Sequence, residues 1–204
     1  MYNSHEKSEQ HTEKGAKMFR DGLSFRGEII VEFFDKHGNL TYRFEDKNFI
    51  VDLGLELVID ILTGTSSKIF RMAVGDNGTL SGQPFVPKTP DSTWPALTSL
   101  FHEVIRLNVN QPPAQPTTKS MTFLASFSSA DIDPTSYSSS PPVINEACLV
   151  ISDGTQTGLQ QVNKVPPDIL TPSEKMFSIR TFKSQPFDPA DTLTLSITWT
   201  IHVQ

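Results

Sequence analysis

The sequence predicts an all-β protein: a two-sheet antiparallel β-sandwich, jelly-roll-like in its connections, with one short helix and an extended N-terminal arm. Three observations predict it. Near the C-terminus Leu193, Leu195, Ile197, Trp199, Ile201 and Val203 alternate with Thr192, Thr194, Ser196, Thr198, Thr200 and His202, the two-residue period of a strand with one buried and one wet face. Charged residues make up only 20% of the chain while Ser, Thr and Pro are abundant, a balance that suits short strands joined by polar loops better than a helical bundle. Clusters of Gly, Pro, Asn, Asp and Ser also punctuate one strand-like run after another, as turns do between antiparallel strands.

Taken in order, residues 1–24 are polar and mixed in charge with almost no hydrophobic residues. Such a composition cannot bury itself, so it is expected to form an arm ahead of a single domain over residues 25–204. Gly27 to Phe34 and Leu40 to Glu45 flank the turn formers Asp35 to Asn39 and read as a hairpin. Asp52 is placed to cap a helix in which Leu55, Val58, Ile59 and Leu62 recur at i, i+3, i+4 and i+7, with Gly64 placed to end it. Lys68 to Val74 reads as a strand running into Gly75-Asp76-Asn77-Gly78. Residues 79–98 carry four prolines and little periodicity, and read as a long loop. Leu100 to Val109, Ser120 to Phe127 and Val143 to Ser152 follow as strands, and residues 175–183 read as an antiparallel partner of the last strand through Pro186 to Pro189. Seven or eight strands are expected in all, with no 20 to 50 residue repeat.

Composition excludes several function classes. A net charge of −6, a pI near 5.3 and the lack of a long Lys/Arg cluster argue against nucleic acid as a partner, since a phosphate-binding face needs several clustered cations. The N-terminal region has no apolar core of a signal, and no run approaches the ~18 apolar residues of a membrane span, so a soluble chain with no membrane partner is expected. Cys148 is the single cysteine and lies in the apolar run Ala147 to Ile151. That excludes an intrachain disulfide and reads as a small buried hydrophobe.

Catalytic and metal motifs are near misses. His102-Glu103-Val104-Ile105-Arg106 has Arg106 where a zinc-protease helix needs a second histidine, and it reads as a strand. Gly75 to Thr79 carries a single charge, Asp76, and lacks the later glutamate of a calcium loop. Gly64 to Lys68 lacks the leading glycine and the ending of a phosphate loop, and there is no Gly-x-Ser-x-Gly elbow. No catalytic residue, metal or cofactor is therefore expected. Two charges stand out: Arg106 and Glu146 each interrupt apolar strand-like runs. An unpaired charge there would be costly, so the two are expected to form an internal ion pair or to hydrogen-bond inside the fold.

The landmarks in order are the hairpin, Lys47 to Gly54 leading into the helix, Phe70-Arg71-Met72-Ala73-Val74-Gly75-Asp76-Asn77-Gly78, Leu100 to Arg106, Ile144-Asn145-Glu146-Ala147-Cys148-Leu149 and the terminal Leu195 to Ile201. This succession, over residues 27–203, resembles the virion structural proteins of tailed bacteriophages, including head-decoration (cement) proteins and attachment modules of tail or baseplate fibres. The resemblance implies a non-enzymatic protein of the virion, assembled in the host cytoplasm. It would bind the major capsid protein or tail and baseplate proteins as a homo-oligomer, read as a trimer because such proteins commonly sit at threefold positions. The chain ends on the sandwich strand with no fibre shaft or tip following, which directs the expectation to decoration of the capsid surface ahead of a tail, baseplate or fibre-attachment role.

A second class is a carbohydrate-binding module for host attachment. Phe85, Trp94 and Tyr137 fall in predicted loops and would form its stacking platform; the plainer reading packs them on their own domain or at a subunit contact. An enzyme on a sandwich scaffold is the third class, and no carboxylate pair in the sequence singles itself out for it.

Overall fold

The computed structural model describes residues 25–62, 69–109, 114–152, 160–161, 174–191 and 193–203. The arm, residues 1–24, lies outside them.

Strand β1 (Phe25–Phe34) turns into β2 (Leu40–Lys47) through a loop in which Gly38 takes a φ of +79° and the Asp35 carboxylate accepts the backbone N–H groups of His37 and Asn39. Glycine adopts that left-handed conformation without steric cost. After the two-residue β3 (Phe49–Ile50) comes the helix α1 (Asp52–Leu62). Of its expected apolar face, the side chains of Val58, Ile59 and Leu62 lie outside the described residues, and Leu55 is 46% exposed, while Val51 and Leu57 are buried. The cause is Gly54, where a Cβ would lie 2.2 Å from the Phe177 carbonyl oxygen. The helix presses its glycine against the sheet, and Leu55 turns outward.

Then follow β4 (Ile69–Gly75), β5 (Thr79–Leu80), β6 (Gln83–Pro87), a 3₁₀ turn at Trp94–Ala96 and β7 (Glu103–Asn108). The proline-rich stretch expected as a loop thus holds a small separate hairpin. The second half contributes β8 (Ala114–Thr117), β9 (Ser120–Ser128), β10 (Val143–Ser152), β11 (Gln160–Gln161), β12 (Lys175–Pro186) and β13 (Thr194–Val203).

The long strands form two antiparallel sheets, β2-β1-β13-β9-β8 and β11-β7-β4-β10-β12-β3, with β5-β6 apart from both. The expected pairing of residues 175–183 with the last strand does not occur. β12 pairs with β10 and β3 in the second sheet, while β13 lies between β1 and β9 in the first. The connection crosses the sandwich instead of turning back, and Phe187, fully buried, fills the crossing with its N–H donated to the Pro142 carbonyl.

The main core lies between the sheets. Ile29, Val31 and Phe33 of β1, Phe123 and Phe127 of β9, and Leu195, Ile197 and Trp199 of β13 meet Met72, Val74, Leu149, Ile151 and Phe182 from the second sheet. Phe33 bridges the layers, edge-on to Phe182 at 6.3 Å and to Phe187 at 5.9 Å. Each such side chain contributes about 1.5–3 kcal/mol on burial. The second sheet is covered on its outer face too, where Ala73, Cys148, Val150 and Ile179 pack with Val51, Trp94 and Leu100. Burial on both faces explains why Ala147 to Ile151 is a continuous apolar run, whereas β13 alternates.

Candidate functional site

Three of the six landmarks behind the resemblance, Phe70 to Gly78, Leu100 to Arg106 and Ile144 to Leu149, converge at one end of the second sheet. β4 lies between β7 and β10, so Gly75 stands opposite both Glu103 and Glu146. From there the chain leaves the sheet in the turn Asp76–Gly78, and the strand-like run expected from Leu100 begins only at Glu103. Phe101 and His102 stay out of the strand because their backbone N–H groups are taken by a side chain instead of a neighbouring strand.

That side chain is Glu146. Its Oε1 accepts the N–H groups of His102 at 2.8 Å and Asn77 at 3.2 Å, and its Oε2 accepts that of Phe101 at 2.9 Å. The residue is fully buried. Burial raises its carboxyl to about 7, opposed by the three N–H donors and by the charge of Lys88. Next to it, Asn145 accepts the Gly78 N–H at 2.6 Å and donates to the Asp76 carbonyl at 3.1 Å and to Ser184 Oγ at 2.9 Å.

Asp76 is the second organiser. Its carboxylate meets His102 Nδ1 at 2.6 Å and accepts from the Ser138 N–H at 2.6 Å, Ser138 Oγ at 2.8 Å and the Ser139 N–H at 3.0 Å. Serine, aspartate and histidine are thus in contact, but the acid sits in the middle. Serine activation needs the histidine there, able to take the hydroxyl proton, so this arrangement braces three loops.

Along the same face of the sheet lies a tetrad of buried charges. Arg106 grips Glu103 in a fork, Nε to Oε1 at 2.5 Å and Nη2 to Oε2 at 2.7 Å, and reaches Glu174 Oε2 with Nη1 at 2.6 Å. Arg71 Nη1 meets Glu174 Oε1 at 3.0 Å. All four residues are buried, two positive and two negative, so the network neutralises itself. Of the two alternatives expected for Arg106 and Glu146, the mutual ion pair does not form; each is satisfied inside the fold by its own partners. Arg106 finds Glu103 on its own strand, and Glu146 is saturated by backbone donors.

The loops held together by Glu146, Asn145 and Asp76 form a joint from which the β5–β6 hairpin runs. At its root the Lys88 N–H donates to the Gly78 carbonyl at 2.8 Å, and its Nζ donates to the Asn77 carbonyl at 2.5 Å while lying 3.8 Å above the Phe101 ring. Thr181 Oγ1 donates to the Lys88 carbonyl. Beyond the root the hairpin exposes Leu80, Phe85 and Val86, Phe85 by 67%, with Lys183 Nζ 5.3 Å from the Phe85 ring.

The aromatic platform does not assemble. Trp94 is 2% exposed and packs edge-on to Phe49 at 5.8 Å and Phe101 at 5.9 Å, so it belongs to the core. Tyr137 is half-buried against the inter-sheet core and donates its hydroxyl to the Phe187 carbonyl at 2.9 Å; burial pushes its phenol well up. Phe85 alone of the three is offered to solvent. Cys148 is buried, with its thiol likewise pushed up by burial. Among the described residues no three His, Cys, Asp or Glu side chains gather in a metal-holding group. Away from the joint, an open cavity of about 330 Å³ between the start of β1 and α1 is lined by Phe25, Arg26, Lys47, Phe49 and Leu55.

Sequence reading missed Asp76, Asn145, Glu103 and Glu174 as partners. The signal available for the first two was a polar residue next to a glycine turn or inside an apolar run; Glu174 carried none.

No protein-family model matches the chain, and no curated protein or solved structure matches it either.

Proposed function

We propose that this chain is a non-enzymatic structural subunit of a tailed-phage virion, attached to the capsid surface and binding neighbouring subunits there. One observation carries the reading beyond the sequence resemblance: the β5–β6 hairpin, lying beside β12, turns Leu80, Phe85 and Val86 to solvent. Exposed apolar residues gathered on one surface element are what a subunit contact uses. The joint's acids are spent on backbone donors and loop bracing, which fits a scaffold for presenting that hairpin. A partner that binds only the assembled shell stabilises it by mass action.

Cryo-electron microscopy of native particles, with lysine cross-linking through Lys88 and Lys183, tests the reading. Density for the sandwich on the capsid, with cross-links to the major capsid protein, is the expected result. Density at the tail or baseplate would move the subunit there, and particles lacking the chain altogether would overturn the proposal.

A further inference from the structure

Among the described residues the first sheet ends on β2, whose outer edge is paired with no other strand of that sheet. The Asn48 N–H donates to the Gly27 carbonyl at 3.1 Å, and the β1–β2 register continues from that pair through Ile29↔Asp46, Val31↔Phe44 and Phe33↔Tyr42. In an antiparallel ladder alternate residues turn both N–H and C=O to one neighbour. The even-numbered residues Tyr42, Phe44 and Asp46 therefore bond β1, and Arg43, Glu45 and Lys47 point their backbone groups outward. Thr41, Arg43, Glu45 and Lys47 are all exposed.

We propose that β2 is a self-pairing edge: two copies of the chain join β2 to β2 antiparallel about a two-fold axis through Phe44, merging their five-stranded sheets into one continuous sheet. Charge selects this register. An axis through Arg43 sets that residue against the partner's Arg43. An axis through Glu45 sets it against the partner's Glu45 and brings Arg43 against the partner's Lys47. Only the central axis at Phe44, of these three, places Arg43 opposite the partner's Glu45 twice. Arg43 already reaches Glu32 at 2.5 Å and Glu45 at 3.1 Å, so its guanidinium lies on the face where the cross-strand pairs would form. Charges on an edge usually repel a second strand; here their alternating sign makes the edge complementary to itself. The pairing is a property of the chain alone and does not depend on the virion role.

Sedimentation velocity of the full chain over a concentration series, at low and high salt, tests it. A monomer–dimer equilibrium that weakens with salt is expected, since exposed pairs are screened. Arg43→Glu and Glu45→Arg, each of which sets like charges opposite one another twice, should each weaken dimerisation by about tenfold. The double variant Arg43→Glu/Glu45→Arg should restore it, with melting temperatures near that of the parent throughout. A monomer at every concentration, a trimer, or a dimer indifferent to the single reversals would overturn the proposal. So would failure of the double variant to recover pairing.

Discussion

Gly75 runs so close beneath the backbone carbonyl of His102 that a Cβ on it would lie 2.1 Å from that oxygen and 2.6 Å from Glu146 Oε1. The contact is between backbones at the point where β4 shifts register against β7, so neither side can yield cheaply. Gly75→Ala is expected to force the His102 loop away from Glu146 and to cost about 3 kcal/mol, at the upper end of ordinary overpacking. Urea unfolding followed by circular dichroism measures it, and an unchanged midpoint would show that the loop is not held there.

Glu146 gives the fold a pH dependence with a definite sign. Burial raises its carboxyl from an ordinary 4.5 to about 7, so the folded state holds the proton more tightly than the unfolded one. The stability this group contributes is fully present below pH 4.5 and is lost as pH rises through about 7, a decline on the order of 3 kcal/mol. Glu146→Gln cannot titrate and leaves a donor facing backbone N–H groups, so its stability should be lower overall but lack this decline. Thermal midpoints of parent and variant from pH 4 to 8 give the comparison; parallel curves would remove Glu146 as the cause.

The buried tetrad predicts a reversal of the usual additivity. Arg106→Met leaves Glu103 without its fork partner and Glu174 with Arg71, and uncompensated buried charge of this kind costs about 3–5 kcal/mol. Arg106→Met/Glu103→Leu removes one charge of each sign and keeps the Arg71–Glu174 pair. The double variant is therefore expected to be more stable than the single one. Denaturant midpoints of both decide it: a double variant less stable than Arg106→Met would mean the two residues do not compensate one another.

What the sequence made legible was local. Leu195, Ile197 and Trp199 announce a half-buried strand by their spacing, and the structure buries all three. Asp35 to Asn39 announce a turn by their chemistry. What stayed hidden depends on long-range meeting: Glu174 is 103 residues from Arg71, and nothing in either neighbourhood names the other. Arg106 and Glu146 were visible as buried charges, but a strand pattern carries no strand order, so their partners could not be chosen. Pro84 and Pro87 masked β6, because proline is excluded from central strands yet tolerated in an edge hairpin. Trp94 looked like a loop aromatic because its neighbours are prolines and polar residues, although the loop folds back over the outer face of the second sheet.

Trp94 and Phe85, matched as loop aromatics in the sequence, should therefore behave as opposites. Trp94 fills the outer core between Phe49 and Phe101, and Trp94→Ala should cost about 3–5 kcal/mol through the cavity it leaves, with any loss of binding following from loss of fold. Phe85 is 67% exposed, so Phe85→Ser should change stability by no more than about 0.5 kcal/mol. If the hairpin makes the subunit contact, the same substitution removes its most exposed apolar group and should weaken attachment to particles stripped of the protein, without any fall in melting temperature. Co-sedimentation with such particles, alongside thermal melts of both variants, separates the two roles. Phe85→Ser protein that attaches as tightly as the parent would place the contact elsewhere on the surface.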